Sequence, residues 1–164
     1  MLILVYSLRQ LRFGELMGVY AQGNREKAQR DYPEESPGAG LRLAEEDFYD
    51  YLRQCFFKTS GAVYAVWQED GSYVSALRLE PYRDGVLVTA LETAPLERGK
   101  GYASQLLRAV LAQAEGPVYS HVAKDNLPSL GLHGKLGFRR IQERALYLDG
   151  SVDSRACTLL WTKD

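Results

Sequence analysis

The sequence predicts an α+β fold, in which a mixed, mostly antiparallel sheet of about six or seven strands carries helices on both faces. Two observations indicate it. Helical and strand-like patterns follow one another as strand, helices, three strands, helix, strand, helix and two strands. Asp70-Gly71 is a hairpin signal that joins two of the strands. At 164 residues, the chain is long enough for one domain with a buried core.

The chain is predicted to begin with a strand and a helix. Leu2 to Tyr6 is short, apolar and partly β-branched, which is typical of a buried strand. Ser7, with Gln10 three residues later, resembles a capping box. The helix that follows has an apolar face at helical spacing, formed by Phe13, Leu16, Met17 and Tyr20.

Two more helices are predicted before residue 61. Asn24 caps a short helix that ends near Arg30. Pro33 to Gly40 is rich in proline, glycine and acidic residues, so it is predicted to be a loop. The next helix begins at about Ala44. Its apolar face is formed by Phe48, Tyr51, Leu52, Cys55 and Phe56.

Strands dominate the pattern from Gly61 onwards. Ala62 to Gln68, Ser72 to Glu80 and Val86 to Thr93 have the composition of strands. A glycine-rich loop then leads into the clearest helical periodicity of the chain. Its apolar positions are Ala103, Leu106, Leu107, Val110, Leu111 and Ala114.

The last third of the chain is predicted to contain one helix among three strands. Pro117 to Ala123 is a strand, and Asn126 to Leu136 is a short helix that ends at Gly137. The last two strands, about Arg140 to Leu148 and Ala156 to Thr162, flank a turn region at Asp149-Gly150.

Composition and charge exclude several classes of protein. The 20 basic and 21 acidic residues give a net charge of -1, which argues against a nucleic-acid-binding surface. No signal peptide and no apolar run of membrane-spanning length are evident, so no membrane partner is expected. Cys55 and Cys157 form no metal-ligand pattern; no metal site is predicted, and both are interpreted as buried. A reducing, cytoplasmic location is the expectation.

The segment Arg98-Gly99-Lys100-Gly101-Tyr102-Ala103 lies between a strand and an amphipathic helix. Free N–H groups and the positive end of the helix dipole make such a helix start suited to an anion, and the glycines let the backbone approach it. The spacing matches neither the P-loop nor the dinucleotide fingerprint. A simple helix-capping loop is the alternative.

Two motifs resemble those of the GNAT superfamily of N-acetyltransferases. Arg98, Gly101 and Ala103 match R-x-x-G-x-A, with Pro95 three residues earlier. The second motif is an asparagine followed seven residues later by an aromatic and closed by Gly-Phe. Its matching residues are Asn126, Ser129, His133 and Leu136-Gly137-Phe138. The resemblance covers about Ala62 to Phe138 and implies a three-layer fold that uses acetyl-CoA.

The resemblance also assigns residues to the donor. In the family, the strands before and after the loop separate from each other. The pantetheine arm of acetyl-CoA lies between them and is hydrogen-bonded to the backbone, which here corresponds to Leu91 and Thr93. The Leu91 N–H polarises the thioester carbonyl, and Asn126 assists the arm. The pyrophosphate is bound by a continuous segment, with positive charge added by Arg98 and Lys100. Its residues are Gly99, Lys100, Gly101, Tyr102, Ala103 and Ser104.

The two histidines are the candidate catalytic residues. His133 occupies the position where the family usually has a tyrosine that protonates the departing thiolate, which is a departure from the pattern. His121 lies where one branch of the family has a glutamate base. We expect His121 to deprotonate the acceptor ammonium and His133 to protonate the thiolate. Structural roles for both are the alternative, with Glu92 as reserve base and Tyr102 and Tyr119 as reserve donors.

The resemblance divides the chain into an acceptor side (1–60), an acetyl-CoA-binding core (61–138) and C-terminal strands (139–164). The predicted function is transfer of an acetyl group from acetyl-CoA to a primary amine, of a small molecule or a peptide N-terminus, in a ternary complex. A non-catalytic acyl-CoA-binding sensor and a plain interaction domain are the alternatives. The sequence leaves open the acceptor, the length of the acyl group and a homodimer.

Overall fold

Seven strands of the computed structural model, which describes all of residues 1–164, form one sheet in the order β1-β2-β3-β4-β5-β9-β6. Only β4 and β5 pair in parallel, so the predicted mixed, mostly antiparallel sheet is confirmed. Two short strands, β7 and β8, make a separate hairpin. The strands are β1 (Leu2–Val5), β2 (Val63–Glu69), β3 (Ser72–Tyr82), β4 (Gly85–Thr93), β5 (Val118–Ala123), β6 (Arg139–Gln142), β7 (Ala145–Leu146), β8 (Val152–Asp153) and β9 (Ala156–Trp161).

Five α-helices cover the two faces of the sheet. They are α1 (Phe13–Val19), α2 (Ala21–Asp31), α3 (Pro37–Gln54), α4 (Tyr102–Gln113) and α5 (Leu127–Lys135). Short 3₁₀ turns lie at Leu8–Gln10, Phe56–Lys58 and Pro95–Glu97. None of these helices combines the length and the apolar character that crossing a membrane requires.

The alternation of side chains along β2 separates two apolar cores. Tyr64 and Val66 are fully buried under α1 and α3, together with Leu16 and Leu52. Ala65, between them in the sequence, is buried against the other face. There it joins Leu77, Val88, Leu106, Leu107, Val110 and Leu111, and α5 adds the partly buried Leu130. The sheet is thus the middle of three layers, as expected.

The structure corrects the predicted start of the first helix. The Ser7 side chain caps nothing, and a 3₁₀ turn follows it instead of an α-helix. Gln10 does reach back, but its Oε1 accepts from the Tyr6 N–H at 2.9 Å. Neither bond of the capping box forms, and α1 begins at Phe13.

Two predicted boundaries in the N-terminal half are also wrong. Asn24 is not a cap but a buried residue inside α2, where its Nδ2 contacts Met17 Sδ at 3.4 Å. The predicted loop 33–40 ends early, because Ser36 caps α3 and Pro37 occupies its first turn. The Ser36 Oγ accepts from the Ala39 N–H at 3.3 Å. This Ser-Pro pair is a helix-start signal within a segment that we assigned to a loop by composition.

Two C-terminal expectations change as well. The strand expected over Arg140 to Leu148 is interrupted, so that its first half is β6 and its second half is β7 of the separate hairpin. The Thr158 hydroxyl donates to the Arg144 carbonyl at 2.8 Å, where the chain leaves the sheet. Cys157 is buried as expected, but Cys55 is exposed, since α3 ends before it.

Candidate active site

A gap opens between β4 and β5, the parallel pair of the sheet. The strands pair only from Val86–Val118 to Val88–Ser120. Beyond these positions, β4 continues to Thr93 and β5 to Ala123 without pairing with each other. The backbone of residues 89–93 therefore borders an opening in the sheet and not a neighbouring strand.

A β-bulge in β4 marks the point where the strands part. Ala76 pairs with Glu92 and Arg78 with Thr89, so two residues of β4 lie opposite the single Leu77 of β3. Ala90 occupies the bulge with a φ of 54°, which is uncommon for a residue with a side chain. The Tyr20 hydroxyl, from α1, donates to the Ala90 carbonyl at 2.6 Å and stabilises this backbone.

The closed end of the gap depends on Gly85. The Val86 N–H donates to the Pro117 carbonyl at 3.1 Å, which starts the parallel pairing. A Cβ on Gly85 would lie 1.9 Å from the same carbonyl oxygen. Only glycine permits so close an approach of the two backbones at this point.

The gap contains a small cavity of about 140 Å³. It brings together four of the residues predicted from the sequence, Leu91, His121, Asn126 and His133. The other lining residues are Val88, Thr89, Ala90, Val122, Ala123 and Ser129. Thr93 is outside this set, and its Oγ1 lies 3.2 Å from the Ser75 hydroxyl. Two larger grooves include neither the glycine loop nor a histidine: one of about 490 Å³ lies between α2 and α3, and one of about 550 Å³ lies between α1 and α3.

The glycine loop leaves a series of backbone donors free. Gly99 and Gly101 have φ values of 79° and 84°, which glycine adopts readily. Gly101 precedes α4, and its carbonyl accepts the first hydrogen bond of the helix, from the Gln105 N–H at 3.0 Å. The N–H groups of residues 98–104 donate to no backbone or side-chain acceptor. Such an array at a helix start can bind a phosphate or another anion.

The two basic residues of the loop are paired with acids. Lys100 Nζ lies 2.7 Å from Glu97 Oε2, and this bond raises the pKa of the lysine. Arg98 donates to Gln22 Oε1 at 2.5 Å and lies 3.7 Å from Glu92. Burial raises the pKa of Glu92, and the charge of Arg98 offsets part of that rise. Arg98 thus connects the loop to α2 and β4.

His133 is buried and both of its ring nitrogens have partners. Nδ1 lies 2.8 Å from the Ser129 carbonyl, to which it can only donate, and Nε2 lies 2.9 Å from the Ser120 hydroxyl. This arrangement fixes a neutral imidazole with its proton on Nδ1. Burial lowers the pKa of His133, despite the bond to Ser129. The ring therefore joins α5 to β5.

His121 lies on the opposite face of β5, as strand alternation predicts. Its ring packs edge-on against Tyr82, with centroids 5.6 Å apart, and against Tyr147 of the β7–β8 hairpin at 4.9 Å. Both ring nitrogens are enclosed and neither has a hydrogen-bond partner. Burial lowers the pKa of His121, and the charge of Arg83 lowers it further. The result is a neutral imidazole with a free lone pair beside the gap.

Asn126 begins α5 in the way that the motif suggests. Its Oδ1 accepts from the Ser129 N–H at 3.2 Å, so the side chain is the helix cap. The reserve proton donor Tyr119 is already engaged, because its hydroxyl donates to Asp84 at 2.7 Å and this bond raises its pKa. No group of three or more His, Cys, Asp or Glu side chains is placed to hold a metal ion.

Two residues of the site escaped the sequence analysis. Tyr20 was assigned to the apolar face of a helix and Ser120 to the strand Pro117 to Ala123, and a hydrogen-bond partner was predicted for neither. Their partners, Ala90 and His133, lie 70 and 13 residues away in the sequence. No local pattern indicates such contacts, because they depend on how α1 and α5 pack against the sheet.

Solved structures of several acetyltransferases have this fold. An N-acetyltransferase, PaiA, from Thermoplasma acidophilum in complex with coenzyme A has a TM-score of 0.66 at 13% identity, over 99% of both chains. The ribosomal-protein-S18-alanine N-acetyltransferase from Escherichia coli has a TM-score of 0.61 at 15% identity, over 99% of this chain and 94% of that one.

A third structure, of a GNAT family acetyltransferase from Elizabethkingia anophelis with acetyl-CoA bound, has a TM-score of 0.55 at 16% identity. It covers 72% of this chain and 82% of that chain. No curated protein matches the sequence significantly.

The model of the acetyltransferase (GNAT) family matches residues 23–138. This range includes the parted strands, the glycine loop with α4, and α5 with its asparagine cap. The chain belongs to the GNAT acetyltransferase family and is a GNAT-type N-acetyltransferase.

Proposed function

We propose that the protein transfers the acetyl group of acetyl-CoA directly to a primary amine, of a small molecule or a peptide N-terminus, within a ternary complex. The observation that carries this proposal is the gap between β4 and β5, whose open end leads into a loop of seven unoccupied N–H groups. The same chain segment can thus bind a pyrophosphate and present an extended backbone to the rest of the donor.

The donor fits these features from one end to the other. The pyrophosphate binds the N–H groups of residues 99–104, at the positive end of α4. The pantetheine arm lies in the gap, along Leu91 and Thr93, with Asn126 at its side. The Leu91 N–H, next to the Ala90 bulge, donates to the thioester oxygen as negative charge develops there. Two structures of this fold contain bound coenzyme A or acetyl-CoA, which supports acetyl-CoA as the donor.

His121 is the proposed general base. Its unprotonated nitrogen accepts a proton from the acceptor ammonium, directly or through water, which leaves a neutral amine. The amine nitrogen then attacks the thioester carbonyl carbon, the N–C bond forms, and the C–S bond breaks. The attacking nitrogen loses its second proton to solvent, and the departing coenzyme A thiolate takes up a proton to become the thiol. Glu92 has a raised pKa but lies close to Arg98, so His121 is the better base.

The role of His133 as the acid stays a prediction, and the geometry sets a strict condition on it. Nδ1–H would have to leave the Ser129 carbonyl to reach the thiolate, and Nε2 already faces Ser120. Its lowered pKa also makes a charged imidazolium costly. His133→Phe tests the role: loss of turnover with an unchanged affinity for acetyl-CoA would support it.

Thermal unfolding with acetyl-CoA is the first test of the function. At 100 times its dissociation constant, the ligand stabilises the fold by about 2.7 kcal/mol. We expect a rise in Tm with acetyl-CoA and not with ATP or NAD, which carry phosphates but no pantetheine arm. Release of free thiol in the presence of amines then reports transfer. Absence of a Tm rise would overturn the proposal.

A non-catalytic acyl-CoA sensor is the second candidate, and the two occupied nitrogens of His133 favour it. Such a protein would show the Tm rise but release no thiol with any amine. An interaction domain would show neither. A cytoplasmic location and a homodimer stay predictions, and the length of the acyl group is left open.

A further inference from the structure

Arg78 carries a positive charge into the layer between the sheet and α3. It projects from β3 on the face that α1 and α3 cover, and three aromatic rings surround its guanidinium. The distances from Cζ to the ring centroids are 5.0 Å for Tyr51, 5.9 Å for Phe48 and 6.0 Å for Phe56. The rings stabilise the cation by cation–π contact but offer no hydrogen-bond acceptor in their plane.

No carboxylate of the protein forms an ion pair with this cation, although Glu80, two residues further along β3, acts on its charge from a distance. None of the Arg78 nitrogens takes part in a hydrogen bond or an ion pair, and Nε is enclosed without a partner. The two Nη atoms are not enclosed, so the tip of the side chain remains reachable. The Tyr64 hydroxyl, on the residue that pairs with Arg78 across β2 and β3, is likewise enclosed and unpartnered. A guanidinium with free N–H donors in an apolar layer is energetically unfavourable without an anion.

The position of Arg78 relates it to the proposed reaction. Arg78 pairs with Thr89, which lines the gap and precedes the Ala90 bulge. Tyr82, four residues further along the same face of β3, packs against His121. Arg78 and His121 therefore lie on one face of the sheet, with β4 and the gap between their strands.

We propose that Arg78 determines acceptor specificity by binding a carboxylate of the amine substrate. The planar guanidinium matches a carboxylate with two parallel hydrogen bonds, and the aromatic rings exclude water around them. An acceptor bound in this way places its amine, a few bonds from the carboxylate, towards His121 and the gap. The substrate class is thus an amino acid or a short amino-carboxylate. This inference rests on the proposed function.

Matched acceptors that differ only in the carboxylate provide the test. Tyrosine is compared with tyramine, lysine with cadaverine, and γ-aminobutyrate with butylamine. The wild type should favour at least one carboxylate member by about 100-fold in kcat/KM, because a site built around a charged hydrogen bond rejects the analogue that lacks it. Peptides with a free or amidated C-terminus distinguish a free amino acid from a peptide terminus.

Arg78→Met should abolish that preference by raising KM for the carboxylate member far more than KM for the uncharged amine. Arg78→Lys keeps the positive charge but not the two parallel N–H donors of the guanidinium, so it should keep part of the preference that Arg78→Met loses. Arg12→Met is the matched control. Arg12 also stacks on a ring, that of Tyr73 at 4.6 Å, but it is paired with Glu15 and the Gly71 carbonyl.

The outcomes separate this inference from the proposed function. Without a Tm rise from acetyl-CoA in the wild type, the function itself fails. With that rise, equal use of both members of every pair overturns the role of Arg78 alone. An equal loss of kcat/KM with both members of a pair in Arg78→Met also overturns it. If no pair is acetylated, the absence of a Tm rise from every carboxylate acceptor overturns it as well. If Arg78→Met does not fold, the wild-type preference and Arg78→Lys decide.

Discussion

The ring nitrogens of the two histidines have opposite surroundings. Those of His121 are enclosed and unpartnered, whereas those of His133 are bonded to Ser120 and Ser129. Burial lowers the pKa of both residues, so both are neutral at neutral pH. Only His121, however, keeps a ring nitrogen without a hydrogen-bond partner, which is why we propose it as the base. Because that nitrogen is enclosed, Tyr82 or Tyr147 has to move before the acceptor ammonium or a water molecule reaches it.

The first prediction at this scale concerns the pH dependence of the rate. Because the base must be neutral, kcat/KM should fall as the pH drops through the lowered pKa of His121, with a midpoint below 6.5. His121→Ala should reduce kcat by about 100-fold or more and remove this acidic limb. Initial rates between pH 5 and 8 measure both effects.

The control for this prediction is the affinity for acetyl-CoA, which should be unchanged in His121→Ala. An acidic limb that persists in the variant would transfer the role to Glu92, whose raised pKa also gives a titration in acid.

The sequence predicted the identity of these side chains better than their environment. It placed both histidines and Asn126 at the site, and the gap indeed brings them together. It did not predict that both ring nitrogens of His133 have hydrogen-bond partners, because the contact with Ser120 depends on how α5 packs on β5. It also did not predict that Arg78 lacks an ion-pair partner, because that depends on which side chains surround Arg78 in the folded protein.

The glycine loop is the element whose backbone conformation is most directly testable. Gly101 has a φ of 84°, while an added Cβ would meet nothing within 4 Å. Gly101→Ala should therefore cost about 1–2 kcal/mol through conformation alone. Because relief of this strain turns the N–H groups away from the phosphate, we also expect weaker binding of acetyl-CoA. Urea unfolding and a titration with acetyl-CoA measure the two effects.

Gly18→Ala is the matched control for this substitution. Gly18 also has open space around its missing Cβ, but it lies inside α1 with an ordinary helical backbone. Alanine there should stabilise the protein by about 0.5–1 kcal/mol. If both variants showed the same change in stability, the left-handed conformation of Gly101 would not be the cause.

Elements with strong periodicity were predicted closely, and irregular ones were not. The pattern from Ala103 to Ala114 gave α4 almost to the residue. The β4 bulge and the break between β6 and β7 have no comparable pattern, since each depends on contacts with distant strands. The first turn of α3 was misassigned because composition was given more weight than the Ser36-Pro37 start signal.

Stability of the whole molecule should depend on pH through the two histidines. Each has a lowered pKa in the folded state, so the unfolded chain binds more protons below about pH 6.5. The free energy of unfolding should therefore fall as the pH decreases from 7.5 to 5.5, by at most about 1.4 kcal/mol per pH unit for each histidine. Urea unfolding at three pH values measures this slope.

His121→Asn should reduce the slope by removing one of the two groups. The aspartates with lowered pKa values, such as Asp47 and Asp153, titrate only in stronger acid and leave this window unaffected. A free energy of unfolding that stays constant over the window would contradict the burial of the neutral rings.

The hydrogen bond from Tyr20 to the Ala90 carbonyl connects the N-terminal helical layer to the strand that borders the gap. Tyr20 belongs to the layer that faces the proposed acceptor, while the next N–H along the chain, that of Leu91, faces the proposed donor. The two ligands are then thermodynamically linked. If bound acetyl-CoA changes the affinity for the acceptor by some factor, the bound acceptor changes the affinity for acetyl-CoA by the same factor. Tyr20→Phe removes the bond to the Ala90 carbonyl and should alter that common factor, which titrations of acetyl-CoA with and without the acceptor measure.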